Sequence, residues 1–407
     1  MIKKGVHSIE IEDFNYPLPE DRIARYPAGK RETSRLLISD RQSLTEDNFF
    51  HIGRYLPEKA LLISNETKVI RARLHFKNQH GALIEVFCLE PEQGNLDGHS
   101  LVNASSPVVW KCLVGNSKRW KDGILEQEVP FENGLIRLKA ERIKKMNDHS
   151  LVSFSWDEPN TKFGQMLEYI GELPLPPYLN RKAGLDDLVR YQTVFARNQG
   201  SVAAPTAGLH FTDELVKTLE DDGFKFARLT LHVGAGTFKP VSTETIGNHA
   251  MHAERFFVSK QTIQQLLLQQ GKPIIPIGTT SMRTIESLYW LGLGLSENEN
   301  PSSLHVNQWI PYHDENEPNP RLILEKLLEY MHKKHLEVLS ATTALMIAPG
   351  YDFKIANGLI TNFHQPKSTL LLLVAALVGN RWKDAYTYAL NNQFRFLSYG
   401  DSCLFFP

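Results

Sequence analysis

Between residues 69 and 154 the chain breaks into short runs with no helical period, and nothing else in the sequence limits the fold as much. The runs lie at 69–76, 82–89, 108–114, 134–140 and 151–154. Between them stand turn formers: Gly94-Asn95, Asp97-Gly98, Asp122-Gly123 and Asn133-Gly134. Apolar residues at alternate positions put one face of a strand into a core. Several such strands at this spacing predict a small all-β sheet or barrel.

The flanks read differently. Arg35-Leu36-Leu37-Ile38 and Leu61-Leu62-Ile63-Ser64 are short apolar strands. Beyond Pro159, a helix is expected at 161–170, leading into the rigid Leu173-Pro174-Leu175-Pro176-Pro177-Tyr178 segment. A second spans 211–223, with Thr212 as cap, Asp213 and Glu214 in the first turn and Gly223 at the end. Strands are expected at 226–233 and 273–277, and helices at 283–291 and 322–339; Leu324, Leu327, Leu328 and Met331 share one face of the last. Strands alternating with helices make an α/β layer. The expected fold class is therefore mixed α/β: a core domain (1–68 with 154–407) interrupted by an inserted small β-barrel-like domain (69–153). The first 68 residues are too few to fold alone. Residues 294–320, rich in Asn, Pro and acid, read as a surface excursion.

At 407 residues the chain suits two or three domains and can bury a core without staples. Its 45 basic and 46 acidic residues leave a formal charge of -1. That excludes a protein that coats nucleic acid through bulk electrostatics and leaves room for a local basic patch. Cys88, Cys112 and Cys403 are too few and scattered for a disulfide framework or zinc knuckle, which suits a reducing compartment. The start, Met1-Ile2-Lys3-Lys4-Gly5, has no signal-peptide core, and the longest apolar run, 370–378, is too short to span a bilayer. A cytoplasmic protein is expected.

Five segments concentrate functional groups. Ser201-Val202-Ala203-Ala204-Pro205-Thr206-Ala207-Gly208-Leu209-His210 precedes a helix, where small residues admit a ligand and free N–H groups attract an anion. A tight loop with a packed histidine is the plainer reading. His232-Val233-Gly234-Ala235-Gly236-Thr237-Phe238 has too few glycines for a dinucleotide fingerprint, but Gly234 and Gly236 permit close ligand approach. In Met251-His252-Ala253-Glu254, an extended chain puts His252 and Glu254 on one face as an acid–base pair, or leaves them as a solvated strand end. The spacing supplies too few ligands for a metal. Gly278-Thr279-Thr280-Ser281-Met282-Arg283 offers amides, hydroxyls and a guanidinium to a carboxylate or phosphate, or plain N-capping. Asn362, His364, Lys367 and Ser368 crowd beside the long apolar run, and Asp401 closes the set. His332 and His335, next to Lys333 and Lys334, belong to a solvated face.

Taken in order, these segments resemble the S-adenosylmethionine:tRNA ribosyltransferase-isomerase family of queuosine biosynthesis. Further matching stretches are Leu18-Pro19, Ser34-Arg35-Leu36-Leu37, Asn65-Glu66-Thr67, Pro174-Leu175-Pro176-Pro177-Tyr178, Tyr191-Gln192-Thr193-Val194-Phe195-Ala196, Pro349-Gly350-Tyr351 and Ser398-Tyr399-Gly400-Asp401. The resemblance implies a barrel-like domain inserted into an α/β domain, no prosthetic group, and S-adenosylmethionine consumed as a ribosyl donor. The acceptor is the 7-aminomethyl-7-deazaguanine at the wobble position of a tRNA anticodon loop. The product is epoxyqueuosine, with adenine and methionine released. A monomer is implied as well.

That chemistry needs a base for the ribose C5′ proton, which the sulfonium acidifies, and donors for the methionine carboxylate. By residue type the acid–base candidates are His210, His252, Glu254 and His364. The carboxylate or phosphate cradle is Gly278, Thr279, Thr280, Ser281 and Arg283. Thr206, Gly208, Gly234 and Gly236 are expected to admit ligand, with Lys367, Ser368 and Asp401 behind them. Two departures stand out: Glu66 replaces the family's usual aspartate, and the connection from Trp290 to Pro349 is long, an insertion at about 291–345. They keep a second reading open, a paralogue with another nucleoside or tRNA acceptor. A third reading is an RNA-binding protein without catalysis.

Overall fold

The computed structural model describes residues 5–92, 102–131, 134–234, 236, 240–298, 301–313 and 317–407. The expected turns at Gly94-Asn95 and Asp97-Gly98, residue Asn133, Ala235, Thr237 and Phe238 of the glycine segment, and the acidic stretch 314–316 lie outside the described residues.

Strands β1 (Arg35–Ser39) and β2 (Leu44–Asn48) form a hairpin, followed by the fully buried β3 (Leu61–Asn65) and the short β4 (Thr67–Val69). The alternating region then builds β5 (Arg73–Lys77), β6 (Leu83–Pro91), β7 (Val108–Gly115), β8 (Ile124–Phe131), β9 (Gly134–Lys145) and β10 (Ser150–Trp156). They make one six-stranded sheet in the order β5-β6-β7-β10-β9-β8, antiparallel throughout. Its end strands β5 and β8 approach each other, which rolls the sheet into a barrel-like form. Strict alternation of burial along β10 turns Val152, Phe154 and Trp156 inward. The first expected run, 69–76, is in fact split. Val69 belongs to β4, in another sheet, and the barrel strand starts at Arg73. Cys88 and Cys112, scattered in sequence, face each other across β6 and β7 as free buried thiols, with sulfurs 4.0 Å apart.

Helix α1 (Phe163–Ile170) packs Phe163, Met166 and Leu167 into the barrel's own core. After α2 (Asp187–Arg190) and β11 (Asn198–Ser201), the turn Thr206–His210 leads to α3 (Asp213–Asp221), where Thr212 Oγ1 accepts from the Leu215 amide as the sequence predicts. The rest alternates β12 (Lys225–Leu231), β13 (Glu254–Ser259), α4 (Lys260–Leu268), β14 (Ile274–Pro276), α5 (Thr279–Glu297), β15 (His305–Val306), α6 (Pro320–Lys333), β16 (Val338–Thr343), β17 (Leu359–Asn362), α7 (Thr369–Val378), α8 (Arg381–Asn391) and β18 (Ser402–Phe405). Two sheets result. One is mixed, ordered β14-β3-β12-β13-β16-β15; the other, β17-β18-β1-β2, pairs the last strand with the first in parallel.

Two segments depart from the expected pattern. The helix expected over 322–339 ends at Lys333, because His335 takes a left-handed φ of 54° and the chain re-enters a sheet at Val338. The excursion at 294–320 is partly core: α5 runs on to Glu297, β15 joins the sheet, and Tyr312 is fully buried with its hydroxyl between Met346 and Ala348. Among the described residues, no helix is long and apolar enough to cross a membrane.

Candidate functional site

Four of the five segments singled out in the sequence meet at one open cleft of about 680 Å³. Its walls come from Ala203 to Ala207, from Val233, from Gly278 to Thr280 and from Thr361 to Gln365, with Ser368 and Ser398 at the edge.

The cleft's floor is the start of α5, a helix of 19 residues. Gly278 occupies the cap position at φ 89°, a region glycine enters freely, and its amide donates to Ile360 O at 2.7 Å. No side chain caps this helix end. Thr280 and Ser281 instead sit inside the first turn, so their expected capping role is not realised. The first-turn amides therefore present a positive helix end to the cleft. Thr280 Oγ1 accepts from Asn65 Nδ2 at 3.3 Å, while the buried Ser281 Oγ has no partner.

Burial sets the histidines. His364 lines the cleft, with Nε2 2.9 Å from Thr361 Oγ1, and burial pushes its pKa down to about 3. His210 lies one layer behind. Asn362 Nδ2 donates to Leu397 O and to His210 Nε2, both at 3.1 Å, so Nε2 accepts and the proton sits on Nδ1, which donates to Ser34 Oγ at 2.7 Å. Burial, with Arg395 and Arg31 adding repulsion, also pushes His210 down to about 3. Both imidazoles are neutral near pH 7. Asn362 is 2% exposed, and its Oδ1 has no partner. Tyr178 adds an aromatic ring to the wall, with its hydroxyl 2.6 Å from Ser398 Oγ.

The fifth segment sits next door. Glu254 forms a buried ion pair with Arg283 and accepts from the Gly234 amide at 3.0 Å. Burial pushes Arg283 down to about 10. Arg283 is thus committed to a carboxylate of the protein itself. Strand β13 begins only at Glu254, so His252 stays exposed while Glu254 turns inward; the expected shared face does not form. The His252 ring instead packs on Gly236, where an added Cβ would come within 2.5 Å of it. Gly208 serves packing too, since a Cβ there would meet Thr193 Cγ2 at 2.9 Å. Glu254, His232 and Gly234 line a second cavity of about 630 Å³ against the barrel residues Trp110 and Pro91.

Thr206 and Ser368 line the main cleft, but the Ser368 hydroxyl is used to cap α7 and to reach Gln365 O. Lys367 points away, to Glu12 at 2.5 Å. Asp401 binds the backbone amides of Arg35 and Arg395 and so holds a turn. Among the described residues, no group of three His, Cys, Asp or Glu converges as a metal site.

A family model described as queuosine biosynthesis protein matches residues 11–405. The chain belongs to that family. Among its relatives, the S-adenosylmethionine:tRNA ribosyltransferase-isomerase of Trichlorobacter lovleyi is 36% identical over 400 residues, covering 97% of this chain and 99% of the relative. The protein of the same name from Halothermothrix orenii is 37% identical over 404 residues, with the same coverage. The crystal structure of the S-adenosylmethionine tRNA ribosyltransferase of Thermotoga maritima is 26% identical, covers 96% of this chain and 99% of its own, and aligns with a TM-score of 0.45.

Within the queuosine family's Asn65-Glu66-Thr67 motif, the asparagine is structural. Its Oδ1 accepts from the Thr67 and Leu231 amides and its Nδ2 donates to Leu231 O, a side chain standing in for a strand. Glu66, the departure, is half-buried and accepts from Asn198 Nδ2 at 3.1 Å; burial raises its pKa. Sequence reasoning missed Ser34, Tyr178 and Ser398 as site residues. Each lies in a stretch matching the family, but none carries a chemistry that marks it out alone.

Proposed function

We propose that the chain transfers and isomerises the ribosyl group of S-adenosylmethionine onto 7-aminomethyl-7-deazaguanine in a tRNA anticodon loop, giving epoxyqueuosine, adenine and methionine. The observation that carries this reading is the convergence of four separate family segments on one open cleft at an uncapped helix end. The first-turn amides of α5 suit the methionine carboxylate. The Tyr178 ring suits the sulfonium. Asn362 Oδ1, costly to bury without a partner, suits a ligand N–H or O–H.

His364 is the acid–base candidate that lines the cleft, and we assign it the C5′ proton. A neutral imidazole is in the right state to accept it. Burial opposes the imidazolium, but the transfer converts a sulfonium cation into a neutral ylide as the imidazolium forms. The net charge of the site does not change, so the penalty that holds the empty-site pKa near 3 is offset when ligand is present. His210 is a positioning residue that aims Asn362. Glu254 with Arg283 anchors the Gly234 loop.

The test incubates the protein with S-adenosylmethionine and tRNA bearing the 7-aminomethyl-7-deazaguanine base. Adenine release that requires that base, with epoxyqueuosine found on nucleoside analysis, is the expected result. Release equally fast with unmodified tRNA would contradict it.

A further inference from the structure

Behind the cleft, sharing Ser398 with it, lies a smaller cavity of about 280 Å³ lined by Arg31, Arg190 and Arg395. Three guanidiniums in so small a space need an explanation, because like charges repel and burial adds to the cost. Arg31 Nη1 and Nη2 donate to Leu209 O and Val189 O, at 3.3 and 2.9 Å. Arg190 Nη1 and Nη2 donate to Gly29 O and Ala28 O, at 2.9 and 2.5 Å. These partners are neutral carbonyls. Among the described residues neither arginine makes a salt bridge, and the buried Arg190 Nε has no hydrogen-bond partner. Only Arg395 reaches a carboxylate, Asp401 at 3.4 Å, and that carboxylate is already engaged by two backbone amides. The positive field extends to His210, whose charged form both Arg395 and Arg31 disfavour.

We propose that this cavity binds an oxyanion, and that the oxyanion is a phosphodiester of the RNA acceptor, next to the base that enters the cleft. The inference rests on the proposed function for the identity of the RNA. Arg31 and Arg190 are held by carbonyls, and the carboxylates nearby, Asp213 acting on Arg31 from a distance and Asp401 beside Arg395, offset the cluster's charge only in part, so it is pre-organised for a phosphate. All three arginines are partly exposed, so a polymer backbone reaches them from the surface. The carboxylate of S-adenosylmethionine is the other oxyanion at hand, but the start of α5 already offers it donors inside the main cleft. A chain of net charge -1 binds RNA through few, well-placed contacts, and this cavity supplies one.

The test measures binding of an anticodon stem–loop to the full chain, with a single methylphosphonate, which is uncharged, moved through the loop. One position should weaken binding roughly tenfold, as losing one charge-assisted contact does, and flatten the salt slope by about 0.7. Arg190→Gln and Arg395→Gln should weaken the unmodified RNA similarly and become insensitive to that same methylphosphonate. Affinity for S-adenosylmethionine should stay unchanged. Arg395→Gln keeps the backbone amide that Asp401 holds, so its fold does not depend on the lost charge. If no loop phosphate matters to the wild-type chain, the proposal is wrong. It is equally wrong if the variants lose S-adenosylmethionine binding and keep RNA binding. Since binding is read without turnover, a failure of the ribosyl-transfer reading shows separately, as RNA binding without adenine release.

Discussion

The main cleft and the arginine cavity share a wall and treat charge in opposite ways. The cleft is lined by neutral polar groups, with its histidine, His364, held uncharged, and the nearby cation, Arg283, is balanced by Glu254. In the cavity behind it, Arg31 and Arg190 form no ion pair among the described residues, and Asp401 reaches only Arg395. A neutral cleft can take a cationic sulfonium without repulsion, while an unbalanced cationic cavity attracts an anion. The wall between them is Ser34–His210–Asn362, a chain of hydrogen bonds between neutral groups. The difference teaches that two ligands of opposite charge can be sorted over a few ångströms if the wall itself cannot titrate near neutrality.

The sharpest break of this contrast removes His364, the proposed proton acceptor. His364→Ala should lower the rate of adenine release by roughly 100-fold or more, within the range a positioned base contributes, with anticodon stem–loop affinity unchanged. Equal loss of RNA binding would merge the two sites into one. Next, Glu254→Gln turns Arg283 into an unbalanced buried cation, so unfolding in urea should show a loss of roughly 3–5 kcal/mol. A loss near zero would mean that the pair is solvated, and that charge balance does not distinguish the two regions.

Acid should break the wall. The folded pKa of both His210 and His364 lies near 3, below the ordinary 6.5, so between these values the unfolded chain binds more protons than the folded one. Stability is complete above about 6.5 and falls as pH drops toward 3, by up to roughly 4 kcal/mol for each histidine. His210→Asn should flatten that slope by close to one proton, without moving the neutral limb of the pH–rate profile. Smallest is Gly278→Ala. Its Cβ would meet Ala207 Cβ at 3.5 Å, an ordinary contact, so the cost is the backbone alone, whose φ of 89° with ψ 154° is a region essentially reserved for glycine, roughly 1–3 kcal/mol in thermal unfolding.

These predictions draw on features of unequal visibility in the sequence. Local signals read true in most places: period-2 alternation marked five of the six barrel strands and missed β8, and Thr212 with Asp213 and Glu214 marked the start of α3. The cleft's segments were recognisable because each gathers small residues and polar groups within a dozen positions. Pairings across the chain left no such trace. Arg283 meets Glu254, Ser34 meets His210, and Arg31 lies near Arg190 only in the folded chain, from positions far apart in sequence. The end of α6 was hidden because a histidine, not a glycine, takes the left-handed turn. The acidic composition around 294–320 likewise masked Val306 and Tyr312, which the core takes in.

The proposed chemistry turns on His364 taking the ribose C5′ proton in the neutral cleft. S-adenosylmethionine labelled with tritium at C5′ tests this directly, by following the label released to water in the presence of the base-modified tRNA. The wild-type chain should release it, and His364→Ala should bind S-adenosylmethionine yet release tritium at least roughly 100-fold more slowly. Release by the variant at the wild-type rate would contradict the account.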